Sequence, residues 1–131
     1  MELPDVRCTA IEPALALLPE AMNSSEAITM LLAIGLQESS FVTRIQYGNG
    51  PARSFWQMEK GGGVHGVLTH PASSTLAVSV CEARGVVPID QAVCEAIGVD
   101  DVLAAAMARL LLWTDPKALP AVGDVDSGWS L

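Results

Sequence analysis

Apolar residues run almost without interruption through Ala27-Ile28-Thr29-Met30-Leu31-Leu32-Ala33-Ile34-Gly35-Leu36. A surface helix would show a one-sided stripe, so this pattern predicts the central helix of an all-α core, over 26–38, capped by Ser24 or Ser25 with Glu26 in its first turn. A second dense apolar stretch predicts a last buried helix over 102–114, opened by Asp100. Between and around them, Gly and Pro act as punctuation. A first helix is expected over 9–18, with Pro13 near its start and Pro19 ending it. Ser73 or Ser74 can cap a helix reaching about Arg84, with Gly85 as a left-handed stop, and Pro88 opens a helix over 89–97 that ends at Gly98. Residues 42–53, containing Gly48-Asn49-Gly50-Pro51, read as a loop or short hairpin. A helical turn over 55–58, a break at Gly61-Gly62-Gly63 and a short helix ending before Pro71 follow. No β-sheet signal appears.

The expectation is therefore a single all-α domain over 1–131 of about six helices, with an irregular tail over 115–131. At 131 residues the chain is long enough to bury a core without staples. Seven basic against fifteen acidic residues give a net charge of -8. That balance argues against nucleic acid, whose binding rests on Lys and Arg neutralising phosphate. Membrane insertion is not expected, because no apolar run approaches the roughly 18 residues of a spanning helix. Nor does the start, Met1-Glu2-Leu3-Pro4-Asp5, read as a signal peptide. Cys8, Cys81 and Cys94 cannot all pair with one another and form no Cys-x-x-Cys motif, so reduced structural thiols are expected. His65 and His70 stand five apart with no Cys and no carboxylate pair in register, so no metal site and no cofactor are expected. Gly61-Gly62-Gly63 is no phosphate loop, since its Lys precedes the glycines.

One polar residue at the exit of the apolar helix stands out chemically. Glu38, within Gln37-Glu38-Ser39-Ser40-Phe41, lies where burial and the negative end of the helix dipole would both disfavour its ionised form. A carboxyl group that stays protonated can protonate a leaving oxygen, as cleavage of a glycosidic bond requires. Glu59 is the nearest acid downstream and so the candidate second carboxylate, although its neighbour Lys60 also suits it to a surface ion pair. The Gln57 amide both donates and accepts, which suits a sugar acetamido or hydroxyl group. Trp56 and Tyr47 are candidate platforms for sugar faces, and Ser39 is a candidate partner for the carboxylate or the substrate.

Glu38-Ser39-Ser40-Phe41, followed after a glycine-containing loop by Ala52-Arg53-Ser54-Phe55-Trp56-Gln57, resembles the lysozyme superfamily, specifically the lytic transglycosylase and goose-type branch and its bacteriophage relatives. The resemblance covers roughly residues 25–70. Ser54 stands where that pattern usually has Gly, and the later Ala-Tyr-Asn-Ala-Gly segment of many transglycosylases is absent. The resemblance implies a lysozyme-like fold with one cleft wall formed by residues 42–53. It also implies cleavage of the β-1,4 bond between MurNAc and GlcNAc in peptidoglycan, with Glu38 acting alone as acid and then base. The expected partner is a peptidoglycan glycan strand. Other phage virion or lysis proteins join it, because the acidic charge fits an enzyme delivered by a larger assembly better than one steered to an anionic wall. The expected location is a phage virion, or the host cytoplasm before release. Two alternatives stay open: an inverting hydrolase using Glu38 and Glu59, and a non-catalytic virion structural or adaptor domain on the same fold.

Overall fold

The computed structural model describes residues 2–114, with the side chain of Tyr47 excepted. The tail over 115–131, with Trp129 and Leu131, lies outside the described residues. The protein is all-α. Helices α1 (Leu3–Val6) and α2 (Glu12–Ala16) are joined end to end by a π-helical stretch, Arg7–Ile11, and are followed by α3 (Ser25–Ser39), α4 (His65–Thr69), α5 (Ser74–Ala83), α6 (Asp90–Ile97) and α7 (Asp101–Trp113). There is no sheet among the described residues. The β content is two isolated antiparallel bridges, Ile45 with Arg53 and Arg53 with Met58. No helix among them is long and apolar enough to cross a membrane.

The first helix begins earlier than the sequence suggests and runs through Pro13. A proline ring presses on the carbonyl four residues back and offers no N–H, so an ordinary α-helix would kink there. Widening to π geometry over Arg7–Ile11 accommodates the residue within one continuous rod. The glycine triplet is likewise not a break: Lys60–Val64 forms a second π-helical turn leading into α4. Gly85 does adopt the left-handed conformation expected of a helix stop, at φ +72°.

The centre of the fold is α7 rather than α3. Every residue from Leu103 to Leu110 is buried, and α7 packs against the N-terminal rod and against α3, α4, α5 and α6. Ala104, Ala105, Ala106 and Ala108 explain this, because small side chains let neighbouring helices approach from every side. Even Arg109 is inside, its Nε donating to the Met22 carbonyl at 2.9 Å, and burial pushes its guanidinium below the usual range. On α3, by contrast, Ala27, Met30, Leu31, Ile34 and Gly35 are buried while Leu36 is exposed, so this helix covers one side of the core.

Both long helices start on side-chain caps. Ser24 Oγ accepts from the Ala27 amide at 3.1 Å. Asp100 accepts from the amides of Val102 and Leu103, each at 3.1 Å, and is held bidentately by Arg84 at 2.9 and 3.1 Å. Burial pushes the Asp100 carboxyl up, but Arg84 and the two amides outweigh it and hold the group below its ordinary range. A carboxylate so depressed adds stability that is complete above the unfolded value of 3.8 and is lost as pH falls through the folded value. Asp100→Ala is expected to lower stability by about 1–2 kcal/mol in urea denaturation at neutral pH. Because wild type loses the Asp100 contribution in acid, the gap between the two proteins should narrow as pH drops below 4.

Candidate functional site

At its C-terminal end α3 does not simply stop. Ser40 and Phe41 both adopt left-handed conformations, at φ +54° and +55°, and the Ser40 amide closes back on the Leu36 carbonyl at 3.0 Å. This reversal folds the Phe41 ring over Gly35, so closely that a Cβ on Gly35 would sit 2.1 Å from the ring. Glu38 occupies the last turn before the reversal and projects from the exposed side of α3.

The chain then builds a wall from residues 42–58 with almost no regular structure. The Gln46 amide donates to the Ala52 carbonyl at 3.1 Å, and Gln46 Oε1 accepts from the Ala52 amide at 3.1 Å. Arg53 and Met58 pair through two backbone hydrogen bonds of 2.9 and 2.8 Å, closing a tight reversal over 54–57 where a helical turn was expected. Ser54 and Gln57 reach it through positive φ, +72° and +53°. The wall is fastened to the body at three points. Ser39 Oγ donates to the Phe55 carbonyl at 2.7 Å, and Trp56 Nε1 donates to the Leu31 carbonyl at 2.8 Å. Arg44 forms a bidentate pair with Asp101, 2.8 Å on each arm, while its guanidinium lies 4.3 Å over the Phe55 ring. Hydrogen bonding to Asp101 holds the Arg44 guanidinium above its usual range.

Between the end of α3 and this wall lies a groove of about 380 Å³ lined by Glu38, Thr43, Gln46, Ala52, Gln57 and Glu59. Three residues singled out from the sequence, Glu38, Gln57 and Glu59, thus meet in one place. Gln57 is oriented there, its Nε2 donating to the Ser54 carbonyl at 2.7 Å, which leaves Oε1 as the acceptor. Glu59 makes no ion pair with Lys60, whose Nζ instead donates to Gln91 Oε1 at 3.1 Å. Thr43 and Gln46 line the groove without having been expected. Their signal was only that they are polar residues in the predicted wall. The side chain of Tyr47 lies outside the described residues.

Two expectations for the site are corrected. Ser39 is buried, and its hydroxyl, which also accepts from the Phe41 amide at 3.2 Å, holds the wall to the helix rather than facing substrate. Trp56 is 4% exposed and packs edge-on against Phe41 and Phe55, with ring centroids 5.9 and 6.3 Å apart, so it belongs to the core and offers no face to the groove. Glu38 differs in a third respect. It is exposed, where burial at the exit of the helix was expected.

No family model, curated protein or solved structure matches this chain. Ser54 is fully buried and left-handed, the conformation glycine adopts at no cost. Its Oγ accepts from the Trp56 amide at 3.1 Å, which gives the serine a use that glycine lacks. Ser54→Ala keeps the backbone strain and orphans that buried N–H, so a loss of about 1–3 kcal/mol is expected. Ser54→Gly orphans the same N–H but relieves the strain, and should melt as the more stable variant of the two by about 1 kcal/mol.

Elsewhere, His65 Nδ1 pairs with Asp90 at 2.8 Å and His70 Nδ1 accepts from the Ala72 amide at 3.0 Å, so the two histidines face separate partners. Among the described residues no group of three or more His, Cys, Asp or Glu is placed to hold a metal ion. The three thiols are free. Cys8 is exposed, while Cys81 and Cys94 are buried, and burial pushes both buried thiols up.

Proposed function

We propose that this protein is a peptidoglycan-degrading muramidase that cleaves the MurNAc-GlcNAc β-1,4 bond as a lytic transglycosylase, with Glu38 as its one catalytic residue. The observation that supports this most is the shared groove: the acid that ends α3 and the amide of Gln57, 19 residues later, line the same channel beside a polar wall. In the proposed reaction, the Glu38 carboxyl group donates its proton to the glycosidic oxygen as that bond breaks. The resulting carboxylate then accepts the proton of the muramic acid C6 hydroxyl as its oxygen closes on C1, giving a 1,6-anhydro ring. Glu38 is reprotonated in the second step and returns to its starting state. A glycan lying in the groove would cover the exposed Glu38 and exclude water from it, supplying the desolvation that the free fold does not. Gln57 Oε1 is oriented to accept from an acetamido N–H.

The position of Glu59 favours a second reading. It lines the same groove free of Lys60, so it could hold a water for inverting hydrolysis in partnership with Glu38. The exposure of Glu38 favours a third, a virion structural or adaptor domain that keeps the groove without the chemistry. Digestion of purified peptidoglycan followed by mass analysis of the fragments separates all three. Anhydro-muramyl ends support transglycosylation, reducing ends support the hydrolase, and intact glycan at high protein concentration rejects both enzymatic readings. A setting in a phage virion or lysis system accords with the net charge of -8, since delivery by an assembly replaces electrostatic steering.

A further inference from the structure

Behind the groove wall is a second pocket, of about 230 Å³, lined by Pro51, Arg53, Lys60, Gln91, Cys94 and Glu95. Its cations are unusual in this protein. Arg7 pairs with Glu12, Arg44 with Asp101 and Arg84 with Asp100, while Arg109 is spent inside on a backbone carbonyl. Apart from the buried Arg109, Arg53 and Lys60 are the basic residues that no carboxylate holds among those described, and both line this one pocket. Arg53 Nη1 donates to the carbonyls of Gly50 and Ala52, and its remaining N–H groups have no partner among the described residues. Lys60 holds only the neutral Gln91 amide. The acid present, Glu95, accepts from Gln91 Nε2 at 2.7 Å. Burial pushes the Cys94 thiol up, and both cations lie near enough to pull it back, which sets them over the same pocket.

Groove and pocket share a partition. Along it, Ala52 faces the groove and Arg53 the pocket, and again Glu59 faces the groove and Lys60 the pocket. A polymer whose backbone lay in the groove would carry its side branches over this edge. In peptidoglycan those branches are short peptides with free carboxylates, attached to the lactyl group of muramic acid. We propose that the pocket of Arg53, Lys60 and Gln91 is a carboxylate subsite for the stem peptide of the polymer whose glycan occupies the groove. This rests on the muramidase reading of the groove. With Nη1 engaged, Arg53 keeps its Nε–Nη2 edge, a pair of donors suited to a carboxylate, and Lys60 adds a point charge, a set that selects peptide-bearing strands against bare ones in an otherwise acidic protein.

Binding of the full-length protein to three soluble probes tests this: glycan fragments with their peptides, the same fragments stripped by an amidase so that only the lactyl carboxylate remains, and chitooligosaccharide, which has no carboxylate. Wild type is expected to bind the peptide-bearing fragment about tenfold more tightly than either other probe, with the difference shrinking in high salt. Lys60→Gln, at an exposed position, and the double variant Arg53→Gln/Lys60→Gln should bind the peptide-bearing probe only as tightly as the others. Their unchanged affinity for the other two probes serves as the check on folding. Equal wild-type affinity for all three probes overturns the subsite and leaves the groove reading standing. Equal affinity for the peptide-bearing and stripped fragments, both above chitooligosaccharide, assigns the carboxylate to the lactyl group and overturns the stem peptide. A Lys60→Gln protein that keeps the full preference also overturns the subsite, whereas failure of wild type to bind any probe overturns the groove reading and the subsite together.

Discussion

Glu38→Gln is expected to reduce release of soluble fragments from peptidoglycan by about a thousandfold while leaving the helical circular dichroism and the melting temperature near those of wild type. The amide has nearly the shape of the carboxyl group, but it can neither give up a proton to the glycosidic oxygen nor accept one from the C6 hydroxyl. Both steps of the proposed cycle pass through this one group, so its loss removes the donor and the acceptor together. The exposure of Glu38 makes the test clean, since an exposed side chain with no hydrogen-bond partner among the described residues contributes little to the fold. Glu59→Gln separates the readings further. A lone-acid transglycosylase should keep activity within a few fold, whereas an inverting hydrolase should lose it as severely as with Glu38→Gln. Undiminished activity in Glu38→Gln would overturn the catalytic assignment.

The largest structural effect is expected at Gly35. A methyl group there would stand 2.1 and 2.2 Å from two carbons of the Phe41 ring. That ring cannot retreat, being 1% exposed and set edge-on to Phe55 at a centroid distance of 5.3 Å and to Trp56 at 5.9 Å. Relief would have to come from the backbone, at the two left-handed residues that fold Phe41 back. Gly35→Ala is therefore expected to destabilise the protein by about 3 kcal/mol in chemical denaturation, against the usual helical preference for alanine. Trimming the obstacle should restore part of the loss: Gly35→Ala/Phe41→Leu ought to be more stable than the sum of the single changes predicts. Strict additivity would mean that the two residues do not meet as described.

These two positions mark what the sequence could and could not tell. Glu38, Gln57 and Glu59 were legible because residue type and order along the chain suffice to nominate an acid and its polar neighbours. The fold class was legible because helical periodicity and caps such as Ser24 and Asp100 are local signals. Which helix lies at the centre was not, since α3 and α7 are comparably apolar and only packing reveals that the alanines of α7 admit neighbours all round. Gly35 read as one more small residue in an apolar run, because its partner approaches from outside the helix. Ser39 and Trp56 were misplaced for a related reason. Both can bond to substrate or to backbone, and the choice was made by carbonyls 16 and 25 residues away in sequence. The left-handed Ser40, Phe41, Ser54 and Gln57 carry no glycine signature, so the turns that shape the groove were hidden as well.

The central place of α7 has a consequence for how the protein is made. Residues 2–100 leave the ribosome without α7, the helix they are to wrap around, and the Arg44–Asp101 pair that fastens the groove wall spans 57 residues. Early elements can pack in part on one another, α4 on α5 and α6 on the Lys60–Val64 turn, but the surface that the N-terminal rod, α3, α4, α5 and α6 all share is that of α7. Completion of the core therefore waits on α7, and a chain released only as far as residue 100 is expected to leave these apolar faces uncovered and to associate with its neighbours.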